Sequence, residues 1–87
     1  MAYQVSLTAE ATRNLDALPD KLYRQVRRHI DALATVPRPP GSKKLAGHDE
    51  LWRVRSGDFR IVYQVKDKAL LVLVVRVGNR REVYRGL

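Results

Sequence analysis

The sequence predicts an α+β fold, in which an N-terminal strand precedes an αα-hairpin packed on one face of a twisted antiparallel β-sheet. Three observations predict it. Apolar residues recur at helical spacing between Leu7 and Leu33. A proline-rich break, Pro37-Arg38-Pro39-Pro40-Gly41, then ends that pattern. From Leu51 onward short turns separate three strand-like runs. With 87 residues and 45% hydrophobic content, residues 1–87 are expected to form a single domain. A domain of this size hides only about 60% of its unfolded surface, so its core is thin.

Each element has a local reason. Tyr3, Val5 and Leu7 alternate with Gln4 and Ser6, which predicts a strand over Ala2 to Leu7. Thr8 can cap a following helix, with Glu10 in its positive first turn. Ala11, Leu15 and Leu18 continue that helix from Leu7 at one-face spacing. Pro19 ends it and suits the first position of the next, where Leu22, Val26, Ile30 and Leu33 form one stripe. The prolines then open a loop through Ser42 to about Glu50, long enough to suggest a function. Leu51 to Arg55, Phe59 to Lys66 and Ala69 to Val77 read as strands, separated by turns at Ser56-Gly57-Asp58 and Asp67-Lys68. The third run is apolar on both faces and should be central. Gly78-Asn79 breaks it, and Arg81 to Tyr84 is expected to add a short last strand.

Composition excludes several chemistries. With no cysteine there is no disulfide, no thiolate nucleophile and no cysteine-held metal. Two histidines, His29 and His48, are too few for a histidine-rich zinc site, so no metal and no cofactor are expected. The longest apolar run, Ala69 to Val75, is far shorter than the ~20 residues that span a bilayer, and Met-Ala-Tyr-Gln does not open a signal peptide. A soluble, cytoplasmic protein with no membrane partner is the expectation. The formal charge is +8, and it is uneven: residues 52–87 hold nine basic and three acidic side chains. A localised positive field favours a polyanion, either nucleic acid or an acidic protein.

Strand parity aims that charge. Trp52 and Val54 share one face of their strand, and Arg53 and Arg55 the other. Phe59, Ile61, Tyr63 and Val65 belong beneath the helices, whereas Arg60, Val62, Gln64 and Lys66 share the opposite face. Arg53, Arg55 and Arg60 are therefore expected to point outward together from an uncovered face. Arg80 and Tyr84, just past the central strand, can join them, giving four guanidiniums and one phenol around a shallow groove. Guanidinium forks bind phosphate oxygens in pairs of hydrogen bonds and stabilise the charge of a phosphorane. A solvated face would explain Arg53 or Arg55 singly, but the whole set favours an anion site. Gly41-Ser42-Lys43-Lys44 lacks Walker A spacing, so Lys43 and Lys44 are read as cations that widen the basic surface. His48, beside Asp49 and Glu50, is an exposed loop histidine, His29 is a surface residue, and Trp52 belongs to the core.

Four segments carry a family resemblance: Lys44-Leu45-Ala46-Gly47, Trp52-Arg53-Val54-Arg55, Phe59 to Val65, and Val77-Gly78-Asn79-Arg80-Arg81-Glu82-Val83-Tyr84. The chain resembles RelE-type toxins of the RelE/ParE toxin–antitoxin superfamily over nearly its whole length. The resemblance implies a RelE-like microbial RNase fold and a metal-independent, ribosome-dependent messenger-RNA endonuclease. It implies cleavage of A-site codons by attack of the message's own 2′-hydroxyl on the adjacent phosphate. The implied partners are a cognate antitoxin, the ribosomal A site with its 16S rRNA, the mRNA, and operator DNA only through the antitoxin complex. By position, Arg60 and Arg80 match the family's phosphate-binding and transition-state arginines, and Tyr84 its C-terminal tyrosine. Arg53 and Arg55 stand where the best-studied branch has lysines, and a one-residue gap near Ser56 is needed to align Arg55. Arginine does not serve as a base, so both are expected to act electrostatically, which leaves Tyr84 as the first candidate for the base and the leaving-group acid unassigned. Lys43, Lys44 and Arg81 are the expected outer RNA contacts. Leu87 follows Tyr84 by three residues, so neither the final helix of some relatives nor the C-terminal histidine of another branch is expected. Two alternatives share these features: a ParE-like inhibitor of DNA gyrase on the same fold, and a plain binding module whose groove holds an acidic peptide.

Overall fold

Alternation and turn chemistry set the strand order. The computed structural model describes residues 2–47 and 50–86. His48 and Asp49, and with them the reading of that histidine and its acidic neighbour, lie outside the described residues. The elements are β1 (Gln4–Leu7), α1 (Ala9–Asp16), α2 (Asp20–Ala32), β2 (Lys43–Lys44), β3 (Leu51–Ser56), β4 (Phe59–Lys66) and β5 (Leu71–Asn79), with a single 3-10 turn, Asp67–Ala69, before β5. They form one five-stranded sheet in the order β1-β5-β4-β3-β2. Strands β3, β4 and β5 make the expected antiparallel meander, while β1 joins β5 in parallel, so the sheet is mixed.

The hairpin between β3 and β4 pairs Ser56 with Phe59 across two residues. Gly57 takes the first turn position with φ 60°, where a type II′ hairpin favours glycine. Thr8 caps α1 by accepting a hydrogen bond from the Ala11 amide at 3.1 Å. Pro19 stands immediately before α2, one position earlier than expected. The long loop contains β2, an edge strand paired with β3, so Gly41 to Lys44 leads into a strand and not into a helix.

The helix-covered face holds the main core. Ala11 and Leu15 of α1, and Val26, Ile30 and Leu33 on or just past α2, pack with Val54, Ile61, Tyr63, Val72, Val74 and Val77. Trp52 packs against this cluster, as its parity predicts, and the Arg38 guanidinium lies 5.1 Å from the centre of its ring. Burial pushes the Tyr63 phenol above its ordinary pKa, an effect partly offset by the Ser42 hydroxyl and the Arg38 guanidinium. The proline-rich loop is tied to the end of β4 by Arg38, whose fork grips both oxygens of Asp67 at 2.8 and 3.1 Å. Tyr3 donates to the same carboxylate at 2.7 Å. The Arg38 bonds first, then the Tyr3 bond, hold Asp67 at a pKa of about 2.

Three expectations are corrected. Gly78 and Asn79 do not break the last strand but lie within β5. Arg81 to Tyr84 is not a strand: the chain turns back after Asn79, with Glu82 and Val83 amides donating to the Asn79 carbonyl at 3.0 Å. The face opposite the helices is therefore not wholly open. Val83 drops onto it and packs with Leu51 and Val62, with Leu45, Val75 and Tyr84 around them. Gly78 permits this approach, because a Cβ there would lie 3.3 Å from both the Cα and the Cβ of Val83.

Candidate functional site

Strand register gathers the site. Arg55 of β3 lies directly opposite Arg60 of β4, and Arg60 lies opposite Gly78 of β5. Arg53 pairs with Val62 on the same face. The returning turn brings Arg80 and Tyr84 to this surface, with the Arg80 amide anchored on the Asp58 carbonyl at 3.3 Å. Arg53, Arg55, Arg60, Arg80 and Tyr84, together with Leu45, line one open cavity of about 500 Å³.

Arg60 is on the expected face, but it does not point out into solvent. It is only 6% exposed. Its Nη1 curls back toward the hairpin and donates to the Gly57 and Phe59 carbonyls at 3.3 and 3.2 Å. The side chain opposite it is a glycine and the last turn overlies its neighbours, so the guanidinium is enclosed as part of the groove floor. Among the described residues the ion pairs are Arg27–Asp31, Arg38–Asp67 and Arg76–Glu10, and none involves a groove arginine. Among the described residues no carboxylate pairs with this buried cation and a like charge faces it across the ladder, an arrangement that a bound anion would stabilise. Arginine cannot relieve this by losing a proton. Such a set of guanidiniums can take a negatively charged group.

The other candidates divide. Lys43 pairs with Arg53 and shares the groove face, whereas Lys44 pairs with Trp52 and belongs to the other face; both are exposed. Arg81 lies outside the groove, in a neighbouring hollow with Asp58, Asn79 and Glu82. His29 is exposed, as expected, but its Nδ1 sits 2.7 Å from the hydroxyl of the buried Ser56. Leu45 lies in the groove wall, although the sequence reading names it only within the Lys44 to Gly47 segment and not as a site residue. Its signal was weak, a single leucine after two lysines. Among the described residues, no three His, Asp or Glu side chains gather as a metal cage, and no helix is long and apolar enough to cross a membrane.

The sequence pattern of the family described as the ParE toxin of the type II toxin–antitoxin system, parDE, matches residues 5–84. The chain belongs to the RelE/ParE toxin superfamily. Within it, this RelE-type toxin is 31% identical to the mRNA interferase toxin RelE of Escherichia coli, over 97% of this chain and 92% of that one. It is 30% identical to the toxin RelG of Mycobacterium tuberculosis, over 98% of this chain and 99% of that one. Among solved structures it superposes on a chain of the archaeal RelE–RelB complex from Pyrococcus horikoshii with a TM-score of 0.81 and 28% identity, covering 95% of this chain and 100% of that one. The toxin–antitoxin complex RelBE2 of Mycobacterium tuberculosis gives a TM-score of 0.82 at 27% identity, over 92% and 100% of the two chains.

Proposed function

We propose that this RelE-type toxin is a metal-independent endoribonuclease that cuts messenger RNA in the ribosomal A site, acting in the cytoplasm. One observation carries the reading: an enclosed Arg60 gathered with Arg53, Arg55, Arg80 and Tyr84 around one cavity. The name of the Escherichia coli relative, an mRNA interferase, supports it. In the proposed step the message's 2′-oxygen attacks the adjacent phosphorus. The bond from phosphorus to the 5′-oxygen breaks, and that oxygen takes a proton from water, leaving a 2′,3′-cyclic phosphate and a 5′-hydroxyl. Arg60 and Arg80 hold the phosphate and the charge that builds on it, and Arg53 and Arg55 add field. Tyr84 accepts the 2′-hydroxyl proton or stacks on the base. Lys43 extends the basic surface along the groove face, while Lys44 and Arg81 contact the substrate or the 16S rRNA beyond it.

Primer extension on message bound to translating ribosomes tests this. Cuts inside the A-site codon, lost in Arg60→Ala and Tyr84→Phe, are the expected result. No cleavage by the intact chain would sink the proposal. The ParE description of the matching family favours a second reading, inhibition of DNA gyrase. Loss of supercoiling activity without RNA cleavage would establish that reading instead. A cognate antitoxin that covers the groove is the proposed partner, with operator DNA contacted only through it. The solved relatives named as RelE–RelB and RelBE2 complexes support this. Co-purification with a small acidic protein encoded beside the toxin tests it.

A further inference from the structure

One charged residue stands inside the apolar strand β5, and the proposed chemistry leaves it unused. A register shift puts it there. Tyr63 pairs with Val74 but Val62 pairs with Arg76, so β5 carries an extra residue at Val75. Unshifted, the ladder would set Arg76 opposite Ile61, in the helix-covered core. With the bulge, Val77 takes that place and Arg76 moves to the groove side.

Strand β1 ends opposite Val74, so beyond that point β5 has no strand neighbour on this edge. Helix α1 and its cap, Thr8, supply the partners instead. The Thr8 amide and hydroxyl donate to the Val74 and Val75 carbonyls at 2.9 and 2.7 Å. The Asn14 side-chain oxygen accepts from the Val77 amide at 3.0 Å. Arg76 extends this join in two directions. Its Nε and Nη2 both lie 3.3 Å from Glu10 Oε1 on α1. Its Nη1 donates to the Val83 carbonyl at 3.1 Å and also to the Arg85 carbonyl. A cavity of about 360 Å³, lined in part by Glu10, Arg76, Val83 and Arg85, adjoins the join.

We infer that Arg76, held by Glu10, is a positioning residue that fixes the C-terminal turn so that Arg80 and Tyr84 meet the groove. The inference rests on the proposed function for what the turn does, but not for how the turn is held. Arg76 does not line the groove and touches no reacting atom there. Its guanidinium spans acceptors on two elements at once, which a lysine's single point of charge cannot do.

Amide exchange by NMR on the intact chain, compared among wild type, Arg76→Lys and Glu10→Gln, tests the clasp. Val83 and Arg85 amides should exchange at least about tenfold faster in Arg76→Lys and less so in Glu10→Gln, with β4 unchanged. Ribosome-bound message should be cut with kcat lowered about 10- to 100-fold in Arg76→Lys and KM changed far less, as expected when reacting groups are displaced by about an ångström. Unchanged exchange in both folded variants, or a loosened turn with kcat intact, would overturn the inference. If the wild type cuts nothing, the nuclease reading fails on its own. The clasp is then judged by exchange together with groove affinity for inorganic phosphate, where equal affinity in wild type and Arg76→Lys would overturn it.

Discussion

The two faces of one sheet are made from the same three strands and have opposite chemistry. Beneath the helices, Val54, Ile61, Tyr63, Val72, Val74 and Val77 close a dry core. On the other face, Arg53, Arg55 and Arg60 crowd together with no carboxylate paired to them among the described residues, beside a small apolar patch under Val83. Every alternate residue of β3 and β4 serves one side or the other. The contrast teaches that most of the apolar burial lies on one face, while the other sets a cluster of like charges beside a smaller apolar patch.

The largest break of that contrast is Val74→Asp. Val74 is fully buried between the helices and the sheet, and an unpaired carboxylate there should cost more than about 4 kcal/mol. A small domain holds only about 5–15 kcal/mol in total, so circular dichroism should show an unfolded or barely folded chain. A soluble variant with a native spectrum would mean that β5 does not lie in the core.

Arg60→Ala sharpens the contrast from the other side. Cleavage of ribosome-bound message should fall about 10²–10³-fold, the usual cost of removing a donor aimed at developing charge. The melting temperature should rise or change by less than about 5 °C, because the variant relieves the like-charge pairing with Arg55. A large loss of stability would make Arg60 a structural residue and move it to the other side of the comparison.

Gly78→Ala should have a smaller effect. Its Cβ would press on Val83 at 3.3 Å and shift the turn by a few tenths of an ångström. Denaturant unfolding should report a loss of about 1 kcal/mol, and RNA affinity should drop more than core stability does. The smallest effect is expected at Asp67→Asn, far from the groove. The folded pKa of about 2 lies below the ordinary carboxylate value near 3.9, so this group's contribution is complete above about pH 4 and lost as the pH falls toward 2. The variant should flatten that acid limb of the stability curve and leave cleavage at neutral pH unchanged.

Much of this was legible in the chain. Phe59 to Lys66 was bounded correctly because two turn signals flank an alternating run, and Thr8 was readable as a cap from its place before an apolar stripe. The arginine face followed from parity alone. The returning turn was misread as a strand because Val83 and Tyr84 have strand-like side chains, and no local signal says that Gly78 makes room for Val83. The burial of Arg60 was missed for the same reason, since alternation gives a direction but not what lies above it. Arg76 did leave a trace, as the one charge in an apolar strand, but its partners are set by a bulge that periodicity does not reveal.

By itself, then, the order of residues determined the two helices and the three main antiparallel strands, the helix cap, the hairpin turn and which side chains share a face, because these depend on neighbours a few positions apart. Only the tertiary structure decided the parallel docking of β1, the bulge at Val75, the fold-back of residues 80–86 and the enclosure of Arg60. Those depend on contacts between distant segments, such as Arg76 with Glu10 and Val83 with Gly78, whose geometry exists only once the sheet has formed.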